Sequence, residues 1–587
     1  MHLRNHITVL LLLFVSLIGI GQTYQIDLWL YPDTGEIAEV VFRCSENERF
    51  EAVYSIPFQS QITERKLFLT DFIDDFKAYD EEGNLLSFAI NKNDDIVIQQ
   101  AKKLDYLSYS IVKSLQSGIV ADKDNQSVLL YPQFFIGYLN GMLSRDYEVT
   151  IHHKAGIFTS NPNIVKVNDT TDVIKAVNYA ALSSQPIFYG KLDTLSFGKN
   201  KQVHLSVLGE MGKRTAKNLT TLIEPLVNDF IKELDTLSLK DYHFFFYFIN
   251  PKKDKNVQYG GLFHSQTALF ILPETGQFSK KHNSQIKKLV AHELMHTLSP
   301  HHLHSQLLSN LQYTLEQSQH LWLYEGVTEY LSLKFLVNHR HITEQEFWDE
   351  MAKKAVFAQR FPKYSMTEIS KKITTPKYRS FYLNFYNRGA LTALMLDLRI
   401  CYNTYGQNTL FKVTKGLAAD YGEQKAFEEE LFIDEFITKG SSDWRGIFGK
   451  YIIGKKTLKL NPYLEKIGMA FYPTYEEDRA TYGSFKIKGQ GKEIVYFTNV
   501  KDNVWGIQNN DRLLEINGEA IASVPKFKLL FEPEPNELLQ LTIVRNGKTL
   551  YLQGKAQTYK RKVTNVIKPL PLPLQSQKKL YPLFFNQ

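Results

Sequence analysis

Alternating apolar and polar positions dominate the first third of the chain. Tyr24 to Leu30 and Ile37 to Phe42 read as short strands parted by the turn Pro32-Asp33-Thr34-Gly35, and Glu81 to Asn84 and Asn91 to Asp95 mark later turns. Strands at this spacing predict an N-terminal β-sandwich over residues 22–208. From about Lys213 the period lengthens to 3.6, with Leu219, Leu222, Ile223, Leu226, Phe230 and Ile231 on one face of a helix spanning Thr215 to Leu234. Apolar strands follow at His243 to Ile249 and Ala268 to Leu272. Helical patterns then fill the rest of a second domain, 209–460, until about Gly454. Strands return in a module over 470–557, where Asn517-Gly518 and Asn546-Gly547 are hairpin turn signals. Residues 558–587, with Pro569, Pro571 and Pro573, read as an extended tail. The pattern predicts a multidomain α+β chain, β-rich at both ends and mostly helical between.

Residues 1–21 carry Arg4 in a polar stretch and then an apolar run from Ile7 to Ile20, too short to span a bilayer comfortably. Gly19 and Gly21 offer the small residues that a signal peptidase reads. The expectation is an export signal cleaved before Gln22, a periplasmic or extracellular location, and no transmembrane span in the mature chain. An uncleaved anchor is the alternative, disfavoured by the shortness of the run. Composition adds little. At roughly 150 residues per domain, 587 residues allow three or four. The 43% apolar and 13% aromatic content excludes a disordered or collagenous chain. A net charge of +7, with no dense basic block, gives no reason to expect nucleic acid. Two cysteines, Cys44 and Cys401, exclude a disulfide scaffold.

The chemistry concentrates at His292-Glu293-Leu294-Met295-His296. Ile286, Leu289, Val290 and Leu294 put this segment on a helix, and Pro300 marks its end. Histidines four apart leave one helix face a single turn apart, so both imidazoles can share one Zn²⁺. Glu293 points beside them, where it can take a proton from a metal-activated water. A pair of surface histidines on an ordinary helix is the alternative. Downstream, Glu325 in Trp322 to Tyr330 offers the third protein ligand that catalytic zinc needs. Glu329, one turn on, either hydrogen-bonds a ligand histidine or lies on a solvated face. The cluster His301, His302 and His304 reads as a polar loop, because no carboxylate or cysteine is spaced to complete a metal site with it.

Taken together, these motifs resemble the M61 glycyl aminopeptidases over most of the mature chain. The resemblance implies a β-rich N-terminal domain, a thermolysin-like catalytic domain and a C-terminal PDZ-like domain. Ile56-Pro57-Phe58, Leu69 to Phe72 and Ser184 to Gly190 are similar to the family's N-terminal segments. It implies one Zn²⁺ per chain on His292, His296 and Glu325, with Glu293 as base. Tyr386-Asn387-Arg388-Gly389 resembles the Tyr-x-Lys/Arg-Gly motif, which assigns transition-state stabilisation to Tyr386. Gly260-Gly261-Leu262-Phe263-His264 is similar to the Gly-Gly-Leu-Glu-His strand along the substrate cleft, with Phe263 in place of the glutamate. An acidic residue on that strand helps hold a substrate's free amine in related aminopeptidases. Thr297 to Pro300 departs from the family's His-x-Trp-Asn ending, and 28 residues separate His296 from Glu325, implying an insertion. In the PDZ-like module, Tyr482-Gly483-Ser484-Phe485 would present backbone amides to a peptide C-terminus; a blocked groove is the alternative. The expected function is an exported zinc metallopeptidase acting on peptide or protein substrates, with an aminopeptidase favoured by the resemblance. An endopeptidase or altered-specificity peptidase, and a non-catalytic PDZ-type peptide-binding protein, are the alternatives.

Overall fold

In this computed structural model, the residues described run from 23 to 585, except 32–36, 44–50, 57–67, 113–118, 123–125, 143–144, 162, 184–185, 200–201, 213, 235–241, 253–259, 265–266, 275–279, 310–317, 491–493, 503–504, 525, 528–530, 532–533 and 535. The segment expected to be an export signal, Cys44, Pro57-Phe58 and Ser184-Gln185 therefore lie outside the described residues. The chain divides into two compact units, one of residues 1–347, 357–468 and 574–587 and one of 348–356 and 469–573. Among the described residues no helix is long and apolar enough to cross a membrane.

The larger unit begins with an eight-stranded sheet in which Thr23–Leu30 pairs in parallel with Asp146–His152 and antiparallel with Ala38–Arg43. A four-stranded sheet built on Glu51–Ser55 packs over it. The alternation seen in the sequence has its physical cause here: Tyr24, Ile26, Leu28 and Leu30 all turn into the core. Buried tyrosines do a second job. Tyr54 and Tyr109 share a 2.8 Å hydroxyl contact, Tyr109 donates to the Phe135 carbonyl at 2.7 Å, and the Gly137 amide donates to Tyr54 at 2.8 Å. Tyr179 donates to the Ile136 carbonyl at 2.8 Å. These phenols satisfy backbone groups of a buried, irregular segment that no strand ladder reaches.

A five-stranded mixed sheet follows: β1 (Asp193–Phe197), β2 (Val203–Gly209), β3 (Tyr242–Ile249), β4 (Gly260–His264) and β5 (Thr267–Pro273), in the order β1-β2-β3-β5-β4. All eight residues of β3 are buried, as expected of a parallel strand covered on both faces. Helix α1 (Ala216–Leu234) lays Leu219, Ile223, Leu226 and Phe230 into the core. The sequence boundary at residue 208 needs correction, because β1 and β2 pair with β3 and belong to this sheet. Nor is the first unit split at that boundary: Phe245, Tyr247 and Ile271 join the same continuous core as Tyr24 and Tyr54. Beyond the sheet come α2 (Lys280–Met295), α3 (Thr328–Asn338) and α4 (Ala390–Thr404), which buries Cys401.

The extended tail is also corrected. Gln557–Pro569 is a strand paired along its length with Met469–Thr481, and Gln575–Phe585 is a helix, α5, within the larger unit. Phe584 and Phe585 are buried, and Lys334 of α3 donates its ammonium to the Phe584 carbonyl while lying 3.1 Å from that ring's centroid. Burial lowers the Lys334 pKa to about 8, against the opposing pull of Asp397 at 4.0 Å.

The smaller unit holds a sheet in the order Lys486–Gln490, Ile494–Thr498, Arg512–Ile516, Leu538–Arg545, Lys548–Lys555. Both Asn-Gly turns form two-residue hairpin loops with positive φ at each residue (49° and 81°; 51° and 76°). The loop expected to bind a chain end is occupied by its own unit. The Gly483 amide donates to Thr481 Oγ1 at 3.1 Å and the Ser484 amide to the Asp502 carbonyl at 2.5 Å. Tyr482 is buried against Trp505, and the Phe485 ring packs on Phe497. Two of the donors a peptide carboxylate would need are already engaged.

Removing residues 574–587 should uncover the pocket that takes Phe584 and Phe585, each worth about 1.5–3 kcal/mol of burial, and leave Lys334 without its carbonyl. A thermal melt of the truncated chain is expected to show the midpoint lowered by several degrees; an unchanged midpoint would refute this role for α5.

Candidate metal centre

Helix α2 is amphipathic, burying Ile286, Val290 and Leu294, and this fixes which face its last turn presents. His292 and, just past the helix end, His296 emerge together with their rings edge-on, centroids 4.7 Å apart. Glu325 comes from a wide helical turn, Trp322–Val327, that runs directly into α3. Its Oε2 stands 3.4 Å from His292 Nε2 and 3.9 Å from His296 Nε2. Ligands on a tetrahedral zinc at about 2.0–2.1 Å stand about 3.3 Å from one another, so the spacing fits a shared ion after a small inward shift.

The outer ring nitrogens are held from behind. His292 Nδ1 lies 2.8 Å from Glu329 Oε2, and His296 Nδ1 lies 3.0 Å from the Ser299 carbonyl. A carbonyl can only accept, so His296 carries its proton on Nδ1 and turns a lone pair on Nε2 toward Glu325. Thr328 Oγ1 donates to the same carbonyl at 3.2 Å, fixing it in turn. Glu329 thus takes the hydrogen-bonding role and not the solvated one.

Glu325 Oε1 accepts from the Tyr382 hydroxyl at 2.7 Å, whereas Oε2 is buried and has no hydrogen-bond partner. Its nearest polar neighbours are the two Nε2 atoms at 3.4 and 3.9 Å, and a cation among the three would compensate its charge more fully than they do. The protonation preferences of the cluster point the same way. Burial opposes a charge on His292, but Glu325 and Glu329 outweigh it and raise its pKa to about 10. Burial, reinforced by His292, lowers His296 to about 4. Burial would raise Glu325, but His292 and His296 hold it at about 2. The pocket keeps a proton where it wants positive charge.

Glu293 is buried beside this group, and burial, opposed by His292 and reinforced by Glu325 and Glu329, raises it to about 7. Tyr386 packs its ring 5.4 Å from that of His292 and donates to Tyr382 at 3.3 Å. Burial and the nearby Glu325 push its pKa well above the ordinary phenol value, so it stays a donor. Tyr131, beside the tyrosine-braced segment, and Tyr242 of β3 are also raised, first by burial and then by the charge of Glu293.

Tyr382 carried no signal of its own in a chain with 33 tyrosines, beyond standing four residues before Tyr386. The rest of the Tyr386 motif is structural. Arg388 donates to the carbonyls of Tyr451 and Lys456 and lies over the Tyr364 ring. Gly389 meets Gly326: a Cβ on either would come within 2.7 Å of the other's Cα. The backbone carrying Glu325 and the backbone carrying Tyr386 touch with no side chain between them. Gly260, Gly261, Leu262 and Phe263 lie on β4, the edge strand, which packs against α2 with Phe263 opposite Ala268; the side chains of 261–264 lie outside the described set.

Gly389→Ala should therefore push the two turns apart at a cost of about 1–3 kcal/mol and weaken metal binding along with stability. Gly446→Ala, whose added methyl meets open space, serves as the control. Equal melting temperatures and metal affinities for the two variants would contradict the close-contact account.

Residues 285–392 match the family model described as M61 glycyl aminopeptidase, and residues 69–191 match that of the peptidase M61 N-terminal domain. No curated protein matches the chain. Among solved structures, an aminopeptidase N family protein from Idiomarina loihiensis aligns with a TM-score of 0.67 at 16% identity, over 95% of this chain and 99% of that one. An M1 zinc metallopeptidase from Deinococcus radiodurans aligns at 0.44 and 11% identity, over 75% and 95% of the two chains. Leukotriene A4 hydrolase from Saccharomyces cerevisiae aligns at 0.44 and 13%, over 74% and 67%. The first of these supports the fold; the two family matches fall in the two halves of the larger unit, and the chain is a hydrolase of peptide bonds that is similar to the M61 peptidases over both segments.

Proposed function

We propose that the protein is an exported zinc aminopeptidase, with one Zn²⁺ held by His292, His296 and Glu325. The observation that carries this is the convergence of two imidazole Nε2 atoms on a buried Glu325 oxygen that has no hydrogen-bond partner. Zinc in that position supplies Lewis-acid polarisation of the scissile carbonyl and lowers the pKa of water.

The remaining work falls to the chain's own side chains. Glu293, buried and next to the cluster, takes a proton at its carboxylate as water attacks and returns it to the leaving amine. The Tyr386 phenol, kept protonated, donates to the developing oxyanion. Glu329 and the Ser299 carbonyl hold the two histidines in the ligating tautomer, and Tyr382 steadies Glu325 through the oxygen that faces away from them. Export rests on the apolar run of residues 7–20. The aminopeptidase reading rests on the family matches, and Phe263 on the cleft strand argues for looser recognition of the substrate amine than a glutamate would give.

Glu293→Gln should retain zinc while activity falls by about 10²–10⁴-fold, as expected for loss of a general base. Tyr386→Phe should cost about 10²–10³-fold in kcat, with metal content unchanged. Glycyl and alanyl chromogenic amides should be cleaved faster than their N-acetylated forms. Equal cleavage of both would overturn the aminopeptidase reading, and full activity in Glu293→Gln would overturn the metallopeptidase mechanism itself.

A further inference from the structure

We propose that His301, His302 and Glu423 form a second divalent-metal site, structural in role, that takes Zn²⁺ or a similar borderline cation. In sequence the three histidines after α2 lack a carboxylate; the fold supplies one, Glu423, from the segment just after the helix Leu410–Tyr421. His301 Nε2 and His302 Nε2 approach the same oxygen, Glu423 Oε1, at 3.2 and 3.5 Å. These separations bracket the edge of about 3.3 Å expected between ligands on a tetrahedral zinc. The two rings stand perpendicular, centroids 4.8 Å apart, so that both can aim a lone pair at one point without stacking.

The hydrogen bonds behind the rings carry the argument further. His302 Nδ1 lies 2.7 Å from the Thr297 carbonyl, which can only accept, so the proton of the neutral ring is on Nδ1. Its Nε2 then turns a lone pair toward a carboxylate oxygen, an arrangement that a neutral ring leaves repulsive and a cation between them makes favourable. His304 turns its Nδ1 to the His301 carbonyl at 3.2 Å and so holds the backbone of the cluster. Glu423 is about half exposed, with a side-chain accessibility of 46%, so an ion has a path in and water can complete its shell.

A metal here would do specific work. His301 and His302 end the turn Thr297–His302, whose Ser299 carbonyl orients His296 in the first centre. Fixing that turn to the segment after Leu410–Tyr421 would hold the carbonyl in place.

The test measures bound metal in the full mature chain after saturation with zinc and desalting, by mass spectrometry of the metal. The wild type is expected to hold two zinc ions per chain and His292→Ala/His296→Ala one. Adding Glu423→Gln, which leaves the Thr297 and His301 backbone contacts intact, should remove that one. In the His292→Ala/His296→Ala background, Co²⁺ should give the visible absorption of a four-coordinate ion, and zinc should raise the melting temperature. Both effects should vanish with Glu423→Gln, while circular dichroism reports that the variant is folded. The proposal is overturned if that background binds no zinc, or binds one ion that Glu423→Gln does not displace. Because the first centre is deleted in the decisive arm, failure of the peptidase reading would leave this result unaffected.

Discussion

Three carboxylates, Glu293, Glu325 and Glu329, share a pocket with two imidazoles where little water reaches them. In a medium of low effective dielectric such a group needs positive charge at its centre, and this need organises everything around it. Without a metal the group holds a proton on His292, pins Glu325 in its charged form and pushes Glu293 toward neutrality. A dication would meet the same need more fully, in exchange for the extra proton on His292, and His296 is already in the required tautomer. The pocket is built for charge it does not itself possess.

The architecture exists to keep that group compact. Helix α2 supplies two ligands and the base because its apolar face leaves no other choice for its last turn. The Trp322–Val327 and Phe385–Gly389 turns bring the third ligand and the phenol together through a backbone contact that only Gly326 and Gly389 permit. Behind them, Tyr330 of α3 donates to Asp397 of α4 at 2.5 Å, and Asp397 also receives the Leu410 amide at 2.7 Å, tying three helices below the site. The N-terminal sheets contribute through buried tyrosines, which satisfy a non-repetitive segment beside Tyr131. This gives part of the aromatic excess a mechanical role.

What the sequence made legible was local. The four-residue spacing of His292 and His296 is a property of one helix, and the Asn-Gly turns are properties of two residues each; both read directly. Glu325 was found by counting ligands, and Glu329 by its position one turn further on. What stayed hidden depended on distant chain segments meeting. Glu423 approaches His301 and His302 only because Leu410–Tyr421 packs beside the Thr297–His302 turn. Three prolines suggested an extended tail, and they masked the i, i+4, i+5 spacing of Leu580, Phe584 and Phe585 on α5. The loop at Tyr482 looked like a carboxylate cradle until its amides were found to serve Thr481 and Asp502. The boundary at residue 208 failed because β1 and β2 alternate like sandwich strands, and alternation does not say which sheet a strand joins.

Anomalous diffraction at the zinc edge, on crystals of the mature wild-type chain grown with zinc, tests the central claim most directly. The account predicts an ion at about 2.0–2.2 Å from His292 Nε2, His296 Nε2 and Glu325 Oε2, with Glu329 and Ser299 still on the outer ring nitrogens. Absence of a peak at that point under saturating zinc, with Glu325 instead bonded directly to a protonated His292, would contradict it.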